Sequence, residues 1–208
     1  MPEQKPIIYI VDDDPSVRES TELLLKSVGF NVKTFVSAQD FLNANLQEGL
    51  GCLILDVRMP GMSGLDLQEK LVSSKTPLPV IFITGHGTVP MSVRAMKAGA
   101  VDFLQKPFEE QDLLDAINRA ITQQRERKSR KDEADELQQR VKALTPRESE
   151  VFSLLVTGMA NKEIAYKLGT SERTVKAHRA QIMEKMNAGS LADLVRFAEK
   201  LKTHPSDH

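Results

Sequence analysis

The chain has 208 residues, 40% hydrophobic and 27% charged, the balance of an ordinary globular protein with room for one large or two modest domains. No stretch approaches the roughly 18 apolar residues of a membrane span, and the opening "MPEQKPIIYIVDDD" lacks the cationic start and apolar core of a signal peptide. A cytoplasmic protein without a membrane partner is therefore expected. The net charge of −1 is unevenly spread: residues 1–140 hold 17 basic and 21 acidic groups, residues 141–208 hold 11 and 8, so an acidic front joins a mildly basic back.

In chain order, the front alternates short apolar runs with segments of helical period. "IIYIV" precedes Pro15 to Val28, "NVKTF" precedes Ser37 to Leu46, and "CLIL" precedes Leu65 to Val72. "PVIFIT" precedes Pro90 to Ala98, and "VDFL" precedes a helix from Glu109. Five such pairs predict a parallel sheet covered by helices on both faces. In the first helix Asp14 suits the cap and Pro15 the first turn, Val17, Thr21, Leu24, Leu25 and Val28 share a face, and Gly29 ends it. The lone cysteine, Cys52, lies in an apolar run and reads as a packed thiol rather than a reactive one.

Between Gln123 and Lys142, 12 of 20 residues are charged and neither Gly nor Pro occurs. This predicts that the Glu109 helix continues as a solvated helical linker, with Leu137, Val141 and Leu144 as a short coiled-coil seam. Four short helices follow. "TPRE" is a capping box, Asn161 and Ser171 are candidate caps for the next two helices, Ser190 with Asp193 opens the last, and Gly158, Gly169 and Gly189 fall between them.

Ligand sites of parallel α/β sheets gather at the carboxyl ends of the strands. Here those ends carry Asp12, Asp13 and Asp14, then Asp56, Thr84 and Lys106. Each aspartate alone reads as a turn former or cap. Together, three carboxylates need a cation, and hard oxygen ligands favour Mg²⁺. A lysine and a hydroxyl beside them suit a phosphoryl group.

"IVDDD", "LILDVRMPGMSG", "ITGHG" and "FLQKPF", in this order and spacing, resemble the receiver domain of bacterial two-component response regulators over residues 5 to about 122. The resemblance implies that Asp56 is the phosphoacceptor for a sensor histidine kinase. It gives Mg²⁺ (or Mn²⁺) to Asp12, Asp13, Asp56 and the main-chain carbonyl of Arg58. It also implies that Lys106 and Thr84 contact the phosphoryl group, with a cis bond before Pro107, and that Phe103 is the switch aromatic, a position equally suited to a plain core residue. Arg58 and His86 stand where family members tune phosphoryl lifetime, or are simply exposed loop residues.

In the back half, "NKEIAYKLGTSERTVKAHRAQIMEKM" has helix-turn-helix form. Val175, Ile182 and Met186 would face the core, while Arg173, Lys176, Ala177 and Ala180, with Arg179 beside them, form another face, either an ordinary solvated one or a nucleic-acid-reading one. With "LTPRESEVF" and "SLADLV", this part is similar to LuxR-type four-helix DNA-binding domains. The whole resembles response regulators of the FixJ/NarL type, particularly the StyR-like subgroup.

That resemblance implies a flavodoxin-like (βα)5 receiver with a five-stranded parallel sheet at 1–122, a charged helical linker at 123–142 and an all-α, four-helix helix-turn-helix domain at 143–208. Lys176 and Ala177 would face bases of double-stranded promoter DNA. Arg179 and His178 would reach phosphates, and Lys162, Arg173 and Thr174 the backbone. Ala180 could offer only apolar contact. A homodimer on phosphorylation and RNA polymerase complete the expected partners, with no enzymatic activity beyond self-phosphorylation and slow autodephosphorylation. Two rivals remain: a Mg²⁺-dependent phosphohydrolase using Asp56, whose usual second aspartate is here Arg58, and a receiver whose back half binds protein or RNA.

Overall fold

Five short apolar runs become strands: β1 (Ile7–Val11), β2 (Asn31–Phe35), β3 (Gly51–Asp56), β4 (Val80–Thr84) and β5 (Asp102–Gln105). The computed structural model describes residues 5–46, 49–73, 78–85 and 87–203. All strands pair in parallel in the order β2-β1-β3-β4-β5, with Ile7 opposite both Asn31 and Gly51, and Asp56 opposite Ile83.

Because successive strand residues alternate between faces, the sheet carries two cores. Ile8, Ile10, Cys52, Ile54, Ile81 and Ile83 pack on one face with Leu25, Leu113 and Ile117. Tyr9, Val11, Leu53, Leu55 and Phe82 pack on the other with Phe41, Leu67 and Ala95. Every residue of β3 is buried, which explains its unbroken apolar sequence. Cys52 is fully buried and burial pushes its thiol pKa up, so it serves as core.

The covering helices are α1 (Pro15–Ser27), α2 (Ala38–Asn43), α3 (Gly64–Ser73), α4 (Val89–Lys97) and the 33-residue α5 (Glu110–Lys142). Asp14 caps α1, its carboxylate accepting from the Ser16 and Val17 amides, and Pro15 occupies the first turn. Two local expectations change. α2 ends at Asn43 rather than Leu46, because Ala44 turns to extended backbone (φ −76°, ψ 139°). Val28, at the C-cap of α1, is exposed instead of joining the apolar face.

The charged stretch is helical as expected but not uniformly solvated. Gln124 is buried, and its Oε1 accepts a 2.6 Å hydrogen bond from the Gly51 amide at the start of β3. Leu144 belongs to the core of the back unit, with Val141 packed at its margin and Leu137 buried, so the leucine seam is already committed within the chain.

The chain divides into two units, Met1–Arg127 and Lys128–His208. In the second, α6 (Pro146–Leu155), α7 (Asn161–Lys167), α8 (Glu172–Met186) and α9 (Leu191–Thr203) enclose Val151, Leu155, Ile164, Val175, Ile182, Met186 and Leu194. The "TPRE" capping box forms: the Glu148 amide donates to Thr145 Oγ1 and the Thr145 amide to Glu148 Oε2. Ser171 caps α8, and Ser190 accepts from Asp193 at the start of α9.

Asn161 does not cap α7. It is the first helical residue, Ala160 stands at the N-cap with no side-chain acceptor, and the Glu163 carboxylate accepts from the Ala160 amide at 2.8 Å. The left-handed residue closing α8 is Asn187 (φ 50°), an amino acid that tolerates this conformation.

Candidate functional site

The acidic residues gather where the β1 and β3 chains leave the sheet, at the point where strand order reverses. Asp12 is 1% exposed and Asp56 6%. Lys106, reaching in from the end of β5, bridges them: its Nζ lies 2.7 Å from Asp12 Oδ2 and 3.2 Å from Asp56 Oδ1. The Lys106–Pro107 bond is cis, and the Lys106 amide donates to the Thr84 carbonyl at 2.8 Å, which ties the lysine backbone to the end of β4.

Each carboxylate is also held by the main chain. The Asp14 amide donates to Asp12 Oδ1 (2.9 Å), and the Arg58 amide donates to Asp56 Oδ2 (2.6 Å). The loop after β3 returns so tightly that a Cβ on Gly64 would fall 2.1 Å from the Asp56 carbonyl oxygen, which restricts that position to glycine. Burial raises the Asp56 pKa above 3.8, only partly offset by the Lys106 charge and the Arg58 amide. Burial pulls Lys106 down, but the hydrogen bond and charge of Asp12, joined by those of Asp56, outweigh it and leave Lys106 above 10.5.

The crowding of three carboxylates expected from the sequence is not formed. Asp13 is exposed, and among the described residues no three acidic, histidine or cysteine side chains are close enough to hold a metal. Lys106 bridges Asp12 and Asp56 instead and offsets part of their charge. Two buried carboxylates, one of them raised by its own burial, still make a hard-oxygen site that favours added positive charge. With Asp13 adjacent in the chain, these residues fit a divalent cation that keeps several of its waters.

Thr84 is buried at the end of β4, one residue beyond the partner of Asp56. Phe103 is half-buried, its ring centroid 6.0 Å from that of Phe82, and a Cβ on Gly87 would come within 2.9 Å of it. The arrangement suits a core aromatic and a switch aromatic alike. The Arg58 side chain is exposed, and His86 lies outside the described residues. Sequence reading missed Arg18, whose Nη1 donates to the Asp12 carbonyl at 2.8 Å. An arginine six residues past an acidic turn carries too weak a signal to single it out.

In the back unit Val175, Ile182 and Met186 of α8 are buried, as their spacing predicts. Arg173, Lys176, Ala177 and Ala180 are exposed, with Thr174, His178 and Arg179 half-buried beside them and Lys162 exposed on α7. Arg179 Nη1 makes a long 3.5 Å contact with Asn161 Oδ1. Gly169 (φ 61°) makes the turn between α7 and α8. These four exposed positions, at offsets of 3, 4 and 7 from Arg173, form one stripe, and its two alanines allow close approach to a groove. The exposed Glu184 lies one further turn along it.

Residues 8–118 match the response regulator receiver domain and residues 142–198 match the bacterial regulatory proteins of the luxR family. The chain is 49% identical over 202 residues to the response regulator protein TmoT of Ectopseudomonas mendocina, covering 97% of this chain and 92% of that protein. It is 44% identical over 207 residues to the transcriptional regulatory protein FixJ of Azorhizobium caulinodans, covering 100% and 98%. Among solved structures, that of response regulator StyR superposes with a TM-score of 0.84 at 52% identity, over 95% of this chain and 100% of that one. Full-length FixJ from B. japonicum superposes with 0.59 at 43% identity, over 96% and 98%. The chain therefore belongs to the response regulators that join a receiver to a luxR-family DNA-binding domain, and it regulates transcription.

Proposed function

We propose that Asp56 is the residue through which this regulator is switched. A carboxylate oxygen of Asp56 attacks the phosphorus of a phosphohistidine on a sensor histidine kinase. The phosphorus–nitrogen bond breaks, the imidazole leaves, and an acyl phosphate remains on the receiver. The observation carrying this reading is the Lys106 ammonium within hydrogen-bond reach of both Asp12 and Asp56 at the carboxyl end of the sheet. On transfer, Lys106 exchanges its contact with Asp56 for one with a phosphoryl oxygen, and the Thr84 hydroxyl donates to another.

Asp12, Asp13, Asp56 and the carbonyl of Arg58 would hold Mg²⁺ or Mn²⁺. The ion supplies charge neutralisation for the phosphoryl oxygens. Phosphorylation replaces the single charge of the Asp56 carboxylate by the roughly two charges of a phosphoryl group, a net gain of about one, and Thr84 and Phe103 pass the change to the surface of α4, β5 and the first part of α5. That surface mediates homodimerisation, which presents two α8 helices to major grooves about 34 Å apart. Lys176 and Ala177 read bases, Ala180 adds apolar contact, and Lys162, Arg173, Thr174, His178 and Arg179 hold the backbone.

In this scheme residues 1–122 receive the signal, 123–142 transmit it and 143–208 deliver it, in the cytoplasm and with RNA polymerase as a further partner. The protein performs no turnover chemistry beyond forming and slowly losing its own phosphoryl group. Incubation with acetyl phosphate and Mg²⁺ tests the acceptor: mass spectrometry should find one acid-labile phosphoryl group in the wild type and none in Asp56→Asn. Labelling that persists in Asp56→Asn would overturn the assignment.

A further inference from the structure

Of the three aspartates expected to hold the cation, Asp12 and Asp56 are buried and Asp13 is exposed. Packing therefore does not aim Asp13, and the direction in which its side chain leaves the backbone is set by the planar peptides on either side of it. Both are held. The Asp14 amide, in the peptide after Asp13, donates to Asp12 Oδ1 at 2.9 Å. The Asp12 carbonyl, in the peptide before it, accepts from Arg18 Nη1 at 2.8 Å.

Arg18 is placed for this by the helix it belongs to. It lies one turn into α1, whose start is fixed by the Asp14 cap, and its own amide donates to the Asp14 carbonyl at 3.0 Å. The side chain is half-buried, and its planar guanidinium is pre-organised for a directed hydrogen bond. By its charge alone, Arg18 would weaken the binding of a cation, because it adds a second positive group beside Lys106. Its grip on the Asp12 carbonyl works in the opposite sense.

We propose that Arg18 is a positioning residue: by holding the Asp12 carbonyl it aims Asp13 toward the Asp12–Asp56 site and so strengthens the binding of a divalent cation there. This rests on the reading of Asp12, Asp13 and Asp56 as the cation ligands.

The test is a Mn²⁺ titration of the full chain followed by electron paramagnetic resonance, which reports free ion without any phosphorylation. Wild type, Arg18→Met, Asp13→Asn and the double variant are compared. Arg18→Met should bind Mn²⁺ about tenfold more weakly, the usual consequence of losing one hydrogen bond from a charged donor. In the Asp13→Asn background the same substitution should change affinity by less than about twofold, because the arginine acts through that carboxylate. At saturating Mg²⁺, labelling of Arg18→Met by acetyl phosphate should return to within about twofold of the wild-type rate, which a general distortion of the site would not permit. Unchanged or tighter Mn²⁺ binding in Arg18→Met, additive losses in the double variant, or a saturating rate that stays low would each overturn the inference. Should Arg18→Met fail to fold in thermal melts, Arg18→Gln carries the same comparisons. A wild type that takes up no Mn²⁺ would instead remove the cation site itself, and the inference with it.

Discussion

At Asp56 two tendencies oppose each other: burial disfavours the charge, while Lys106 and the Arg58 amide favour it, and burial prevails. A group with its folded pKa above 3.8 favours folding while it is protonated, and that contribution is lost as pH rises through the folded value. Asp56→Asn should therefore stabilise the Mg²⁺-free front unit at pH 7 by about 1 kcal/mol, as relief of a functional strain commonly does. It should also flatten the pH dependence of its urea midpoint between pH 4 and 7. A lower midpoint in the variant would contradict this. Lys106→Ala should do the reverse, leaving two facing buried carboxylates and costing about 1–3 kcal/mol, measurable in the same melts and partly reversed by added Mg²⁺. The placement of Asp12, Asp56, Thr84 and Lys106 at strand ends, and the meeting of the lysine with both aspartates, was legible in the sequence. Arg18, which acts on a backbone carbonyl through loop geometry, was not.

Among the elements, the strands and their order of use followed from apolar runs with clear boundaries, and the two cores follow from alternation alone. Helix ends were harder to read, because a cap is a competition between neighbours. Ala160 rather than Asn161 stands at the cap of α7, and Ala44 ends α2 early. The burial of Gln124 inside a strongly charged segment was illegible because it depends on one distant amide, that of Gly51.

The capping box of α6 is also electrostatic. Lys185, followed by the Thr145 amide, holds Glu148 down to about 2 from its ordinary 4.5. Its contribution to stability is complete above pH 4.5 and is lost as pH falls through about 2. In Lys185→Met, which removes the leading cause, acid unfolding of the back unit followed by circular dichroism should begin at higher pH. Thr145→Ala should cost about 1 kcal/mol at neutral pH, the usual value of a lost N-cap.

For the whole molecule, an acidic receiver and a mildly basic output unit divide the work of regulation between them. If the exposed stripe of α8 meets DNA, binding must fall steeply with salt. Lys176→Glu should lose operator binding in gel shifts, whereas Lys162→Gln should weaken it uniformly and reduce the salt slope by about 1. A Lys176→Glu protein with unaltered binding would remove α8 from the interface.

Whether Asp56 governs that interface is tested most directly by footprinting on target-promoter DNA. Wild type and Asp56→Asn would be titrated side by side, with and without acetyl phosphate and Mg²⁺. The prediction is a footprint that strengthens at least tenfold on phosphorylation in the wild type and is unresponsive in Asp56→Asn. Equal footprints under all four conditions would contradict it.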